Sequence, residues 1–258
     1  MFFNAMKYSF IFFMLSILFA CSSGSEERVL KEPHSIAELG ELLFNDSLLS
    51  RGNQVSCASC HKPDFAFADN IALSFGVDST KGDRNTPSVM NMSARNFYFH
   101  DGRSETLEEQ ASGPMENPNE MDIPISAIVK KLNKHKQYRA FFVNLFGRPA
   151  DKQNLVEALS AFERTLETNN SAFDNYMSGK DTTQFSISAK RGQDIFNVKG
   201  KCFDCHFGPD FTNDDFKNIG LFNGKELNDS GRFIVTRQPS DIGRFKVPGL
   251  RNITITAP

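Results

Sequence analysis

Two pentapeptides constrain this chain more than anything else in it: Cys57-Ala58-Ser59-Cys60-His61 and Cys202-Phe203-Asp204-Cys205-His206. Two thiols three positions apart can reach the two vinyl groups of one porphyrin and form thioethers. The next residue then lies beneath the ring, where its imidazole can ligate iron. Each motif therefore predicts a covalently attached c-type haem, with His61 and His206 as the iron ligands. A structural zinc site needs four ligands, and each motif offers three at most. A thioredoxin-like dithiol belongs in a βαβ context, and neither motif follows a β-branched strand run.

Haem attachment uses four of the five cysteines. The fifth, Cys21, follows Leu18-Phe19-Ala20 at the end of an apolar run over residues 8–20 that is preceded by Lys7. The run falls short of the roughly 20 apolar residues a bilayer span needs and has the proportions of a signal-peptide core. A cysteine directly after a small residue, with Leu three before it, resembles the bacterial lipoprotein cleavage site. Residues 1–20 are thus expected to be a signal peptide, with Cys21 the lipid-bearing first residue of the mature chain and 21–33 its tether. The protein is expected to be exported, periplasm-facing and anchored to the membrane through Cys21. No thiol remains for a disulfide framework. The net charge of −2 and the lack of any block of like charges point to no nucleic-acid partner.

The motifs anchor an internal repeat. Pro63-Asp64-Phe65 after the first is answered by Pro209-Asp210-Phe211 after the second, and Pro87-Ser88-Val89-Met90-Asn91 by Pro248-Gly249-Leu250-Arg251-Asn252. Two copies of one supersecondary plan predict two cytochrome c-like haem domains, residues 34–175 and 176–258. Between the motifs, Ile125, Ile128, Val129 and Leu132 give helical spacing within 125–146, and Leu155, Leu159, Phe162 and Leu166 do so within 154–166. Only 253–256 hints at a strand. The Gly-, Asn- and Asp-rich stretches after each motif read as loops that wrap the rings. The expected fold is mainly α with long loops. The first copy runs on through Tyr98-Phe99-His100-Asp101-Gly102, whereas the second reaches Pro258, so the second domain is expected to be C-terminally incomplete.

Several stretches together resemble the bacterial di-haem cytochrome c peroxidases and their relative, the maturase that completes the tryptophan-derived quinone of methylamine dehydrogenase. They are Arg84-Asn85-Thr86-Pro87-Ser88, residues 97–103, Thr106-Leu107-Glu108-Glu109-Gln110 with Pro114 and Glu120-Met121, Ala161-Phe162-Glu163-Arg164-Thr165, and residues 247–258. The match spans nearly all of the chain after residue 34. The resemblance implies that the N-terminal haem meets hydrogen peroxide and the C-terminal haem passes in electrons from a small donor such as a cytochrome c. It also implies that Glu120 and Gln110 stand above the first ring. Chemistry supports that pairing: cleaving peroxide needs an open iron position and a group that moves a proton between the two oxygens, which a carboxyl can do. By its residues alone, Glu120, in the Pro- and Asn-rich loop 116–124, reads first as a solvated carboxylate, and the bland reading of Gln110 is a surface amide on a helix; the resemblance is what points both to the pocket.

Three departures from the family pattern stand out. Many of these peroxidases carry a distal His in the loop after the first motif, matched here by Ser74-Phe75-Gly76-Val77-Asp78. No His lies between His61 and His100, so the first iron is expected to be five-coordinate or water-bound, a trait the maturase shares. The family's inter-haem Trp is replaced by His100, and the chain has no Trp; His100 is expected to take an inter-haem structural role. The second haem's sixth ligand, Met in the peroxidases and Tyr in the maturase, is expected beyond Pro258. The resemblance further implies a Ca²⁺ ion held by Asn85, Thr256 and Pro258, whose oxygens are the hard donors calcium takes, and is compatible with a homodimer. His34 and His135 match nothing, and His135 is expected on a solvated, Lys-rich helix face. A di-haem peroxidase is the leading reading, with a maturase-like oxidase acting on a partner protein and a pure electron carrier as alternatives.

Overall fold

In the computed structural model, residues 29–258 are described; the apolar run 8–20, Cys21 and most of the expected tether lie outside them. The first half is organised around helix α6 (Lys152–Glu163), which buries Leu155, Val156, Ala158, Leu159 and Phe162. Its start is fixed by a reciprocal cap in which Asp151 Oδ1 accepts from Asn154 N and the Asn154 side chain accepts from Asp151 N. Helix α1 (Ile36–Phe44), capped by Ser35, lies against it and buries Leu39, Leu43 and Phe44. The two backbones meet at Gly40, where a Cβ would run into the carbonyl of Ala158.

The first haem motif forms a one-turn helix, α2 (Cys57–Cys60). Helix α3 (Leu107–Glu116) packs on α6 and is followed by α4 (Ile125–Lys134) and α5 (Lys136–Phe146). The second half is looser. Short helices α7 (Ala172–Met177) and α8 (Ile187–Asp194) precede the second motif, and the chain then runs through loops, helix α9 (Phe233–Thr236) and two antiparallel strands. In these, β1 (Phe216–Lys217) pairs with β2 (Phe245–Lys246), Phe216 opposite Lys246. Residues Glu32–Pro258 form one compact unit. Among the described residues no helix is long and apolar enough to cross a membrane.

The fold is mainly helical, as expected, but two details differ. The helical pattern over 125–146 is broken at His135, which ends α4 and caps α5, its Nδ1 accepting from Tyr138 N at 3.4 Å. His135 is therefore a cap packed on the Tyr138 ring, not part of a continuous solvated face. Residues 253–256 form turns and no strand; Ile253 and Ile255 are exposed, and among the described residues no strand pairs with them.

The α1–α6 contact yields a stability prediction. Gly40→Ala raises helix propensity by about 1 kcal/mol, but its Cβ must displace a backbone carbonyl. Overpacking of this kind costs about 1–3 kcal/mol, and two rigid backbones put the substitution at the upper end. Urea denaturation should show a net loss of about 2 kcal/mol.

Candidate active site

His61 leaves α2 with a backbone turn (φ −97°, ψ 81°) that sends its ring away from the helix. Its Nδ1 lies 3.0 Å from the carbonyl oxygen of Phe67. A carbonyl only accepts, so Nδ1 carries the proton and Nε2 is left bare, the form that can ligate iron. To present that carbonyl, the chain makes a tight loop with Ala66 and Phe67 at positive φ and closes it with Lys62 N to Ala68 O. The second motif repeats the device: His206 Nδ1 lies 2.9 Å from Phe211 O, with Phe211 also at positive φ. The sequence repeat aligns Phe65 with Phe211, but in the first copy the acceptor is Phe67, two residues past the triplet, so that it lies six residues after its histidine and not five.

His61, Cys57 and Cys60 line a cavity of about 730 Å³, within the usual range for small-molecule sites. Burial pushes the Cys57 thiol up to about 12, helped by the charge of Glu163, and burial also raises Cys60. Such sulfurs suit uncharged thioethers and not thiolate ligands or nucleophiles. Among the described residues no group of three or more His, Cys, Asp or Glu could hold a metal ion by itself. The donor set thus fits a covalently attached haem: two neutral sulfurs and one imidazole with a bare Nε2.

Gln110, projecting from α3, and Glu120 both line this cavity. Glu120 is not a free loop carboxylate. Asn117 Nδ2 donates to its Oε1 at 2.7 Å, and Val77 N donates to its backbone carbonyl at 2.8 Å. Gly76 makes that approach feasible, because a Cβ there would meet Asn119 O and the Glu120 backbone. Burial raises the Glu120 pKa, and the Asn117 hydrogen bond and Arg103 offset this only in part. The loop Ser74-Phe75-Gly76-Val77-Asp78 supplies Ser74 and Gly76 to the cavity wall, and no imidazole.

His100 also lines the first cavity, together with Asp229 and Ile234 from the second half. Burial, Arg84 and Lys246 push its imidazole down to about 4, so it is uncharged at neutral pH. The hairpin bearing it is gripped from the second half: Lys246 N donates to His100 O at 2.8 Å, and Arg232 Nη1 donates to the carbonyls of Asp101 and Gly102. Arg84 bridges the halves, donating to Asp101 at 2.6 Å and to Asp229 at 2.7 and 2.8 Å.

His206 lines a second cavity of about 660 Å³ whose wall is largely phenylalanine: Phe173, Phe185, Phe196, Phe203, Phe207 and Phe211. Met177, unassigned from sequence, lines it too. Of the residues expected to hold calcium, Asn85 lines the first cavity, whereas Thr256 and Pro258 line neither. Asn85 Nδ2 donates to the carbonyls of Ile71 and Ala72.

Sequence reasoning gave no role to Glu163, Arg103 or Asn117, which share the first cavity. For Glu163 a signal existed: Leu155, Leu159 and Glu163 are four apart, which puts a carboxyl on the buried stripe of α6.

The sequence pattern of the family described as "Di-haem cytochrome c peroxidase" matches residues 34–182. The chain is 38% identical over 229 residues to the methylamine utilization protein MauG of Methylophilus methylotrophus, covering 86% of this chain and 66% of that protein. It is 36% identical over 233 residues to the cytochrome c551 peroxidase of Nitrosomonas europaea, covering 89% and 69%. Among solved structures, a MauG-like protein associated with microbial copper homeostasis gives a TM-score of 0.79 at 29% identity over 90% of this chain and 74% of that one. The diheme peroxidase BthA from Burkholderia thailandensis gives 0.73 at 25% identity over 87% and 67%. The chain spans about two thirds of the length of these curated relatives.

The Arg84 bridge makes a pH-dependent contribution. Burial alone would raise the Asp229 pKa, but hydrogen bonds from Arg84 and Gly231 N hold it below the usual range. A depressed carboxylate stabilises the fold above its unfolded pKa of about 4 and loses that contribution as pH falls through the folded value. Arg84→Met should therefore cost about 1–2 kcal/mol at pH 7, well below the roughly 3–5 kcal/mol of a fully buried pair, because the Asp229 side chain is 40% exposed and solvent screens its charge. The gap to the parent protein should narrow below about pH 4 in urea titrations.

Proposed function

The chain belongs to the di-haem cytochrome c peroxidase family, and from that premise we propose that it reduces hydrogen peroxide to water at the first cavity. The electrons enter through the second haem from a small donor protein such as a cytochrome c. The observation that carries this reading is the pairing, in one cavity, of an imidazole with a bare Nε2 and a half-buried carboxyl, Glu120, whose pKa is raised. The haem would supply an open iron position for peroxide and a store for electrons.

The chain's own residues then have definite tasks. His61 would hold the haem iron through Nε2, and its Nδ1 bond to Phe67 O fixes the ring for that task. Gln110 orients the peroxide by hydrogen bonding. Glu120 would take a proton from one peroxide oxygen and deliver it to the other, which leaves as water. Two electrons and two protons complete the reduction to two waters. A carboxyl whose pKa burial raises above the ordinary glutamate value suits this exchange, because it holds a proton more readily than a solvated carboxylate does. Asn117 keeps its Oε1 in place, and Arg103, whose charge offsets part of the burial effect, stabilises the carboxylate form.

His100, uncharged and set between the halves, is assigned the inter-haem structural role that Trp fills in relatives. Residues 34–175 and 176–258 are assigned to the two haem domains. The lipid anchor at Cys21 and a periplasm-facing location belong to the same proposal, as does a Ca²⁺ ion held in part by Asn85. A maturase-like action on a partner protein is the second reading, favoured by the lack of any His between His61 and His100 and by the MauG relative. A pure electron carrier would leave the Glu120–Gln110 pair without a task.

Glu120→Gln keeps shape and polarity and removes the proton shuttle. A positioned acid–base group contributes a factor of about 10² to 10⁴. In stopped flow, the two-haem variant should react with peroxide at least about tenfold more slowly, with haem content and cyanide binding little changed. Near-normal rates would remove Glu120 from the mechanism.

A further inference from the structure

Glu163 closes α6 and belongs to the Ala161–Thr165 stretch that the peroxidase reading leaves without a task. Its side chain is 5% exposed and lines the first cavity, and its Oε2 has no hydrogen-bond partner. The adjacent cation does not serve it: Arg164 is turned to Glu108, with bonds of 2.7 and 3.1 Å. The ionisable groups around it are Cys57 from α2, Tyr98 from the loop before α3, and Glu108 from α3. Helices α1 and α4 also pack on α6; the buried residues of α1 are Leu39, Gly40, Leu43 and Phe44, and Lys131 of α4 donates to the carbonyls of Leu48 and Ser50.

A buried charge without a partner is costly, and the carboxyl answers by staying protonated. Burial pushes its pKa up to about 8, against the opposing charge of Arg164 and with that of Glu108. An acid so placed responds to charge in the cavity, because the surrounding dielectric is low. Loss of an electron adds positive charge there, and positive charge favours the carboxylate.

We propose that Glu163 is the redox-linked proton site of the first cavity, giving up its proton when an electron leaves that cavity and recovering it when the electron returns. For each electron taken by a one-electron oxidant, the O–H bond of Glu163 breaks and one proton passes to solvent. Re-reduction by one electron reverses both changes. Ser160 Oγ, three residues back on the same helix and also buried without a partner, is the neighbouring polar group. Glu163 thus holds the net charge of a water-poor site nearly constant, while Glu120, held by Asn117, serves the substrate. The inference rests on the first cavity holding haem, as the proposed function requires.

The test is a spectroelectrochemical titration of the first haem with soluble redox mediators, in the two-haem protein and its Glu163→Gln and Glu120→Gln variants. The parent's midpoint potential should fall as pH rises through the window below about 8. Glu163→Gln should lose most of that dependence, and Glu120→Gln should keep it. A Glu163→Gln slope equal to the parent's overturns the proposal. Infrared difference spectra of the unmutated protein and of Glu120→Gln provide an arm that does not need the Glu163 variant to fold. In both, the carbonyl stretch of a protonated carboxylic acid should vanish on oxidation, and its persistence overturns the proposal equally. A protein that attaches no haem at Cys57 and Cys60 defeats the peroxidase reading itself.

Discussion

One hydrogen bond, made twice, organises this protein: the Nδ1–H of a motif histidine to a backbone carbonyl five or six residues on. It sets the tautomer, and with it the side of the ring that can reach iron. In the first half its acceptor is the carbonyl of Phe67, and the Phe67 ring meets the edges of Phe44 and Phe162 at centroid distances of 6.2 and 6.3 Å. Those rings belong to α1 and α6 and stand 5.1 Å from each other. The helix pair that makes the core therefore also immobilises the loop that aims His61. Packing so close that it requires Gly40 is what gives the pair its rigidity, and a rigid ligand mount is what catalysis at a metal demands.

The first cavity separates its charged groups by role. Glu120 sits in a loop and is hydrogen-bonded by Asn117 and flanked by Arg103, so its proton is exchangeable. Glu163 ends a core helix without a partner and is held neutral. His100 is kept uncharged between Arg84 and Lys246. Acids placed in unlike surroundings take unlike pKa values, which is how one pocket can keep a substrate proton and a charge-balancing proton distinct.

The sequence made some of this legible and hid the rest for physical reasons. The haem motifs, the helical class and the cavity positions of Gln110 and Glu120 follow from local spacing and from family resemblance, both of which a linear reading captures. The break at His135 was hidden because a cap depends on backbone angles, and the apolar stripe continues across it. The false strand at 253–256 shows the converse: alternation alone cannot supply a partner strand. Phe67 was missed because the Pro-Asp-Phe repeat aligns Phe65 with Phe211, whereas the acceptor in the first copy lies two residues past the triplet. Arg103 and Asn117 act through contacts made only when loops meet. Glu163 was readable from its four-residue spacing but passes for an ordinary helix charge unless its burial is known.

His61 is proposed to hold one side of the first haem iron, with the loop bearing Ser74 and Gly76 leaving the other side open. Electron paramagnetic resonance of the oxidised two-haem protein tests it most directly. A high-spin signal from the first haem that converts to low spin on adding cyanide, with no prior reduction, is expected. A low-spin bis-histidine signal in the resting protein, unchanged by cyanide, would contradict it.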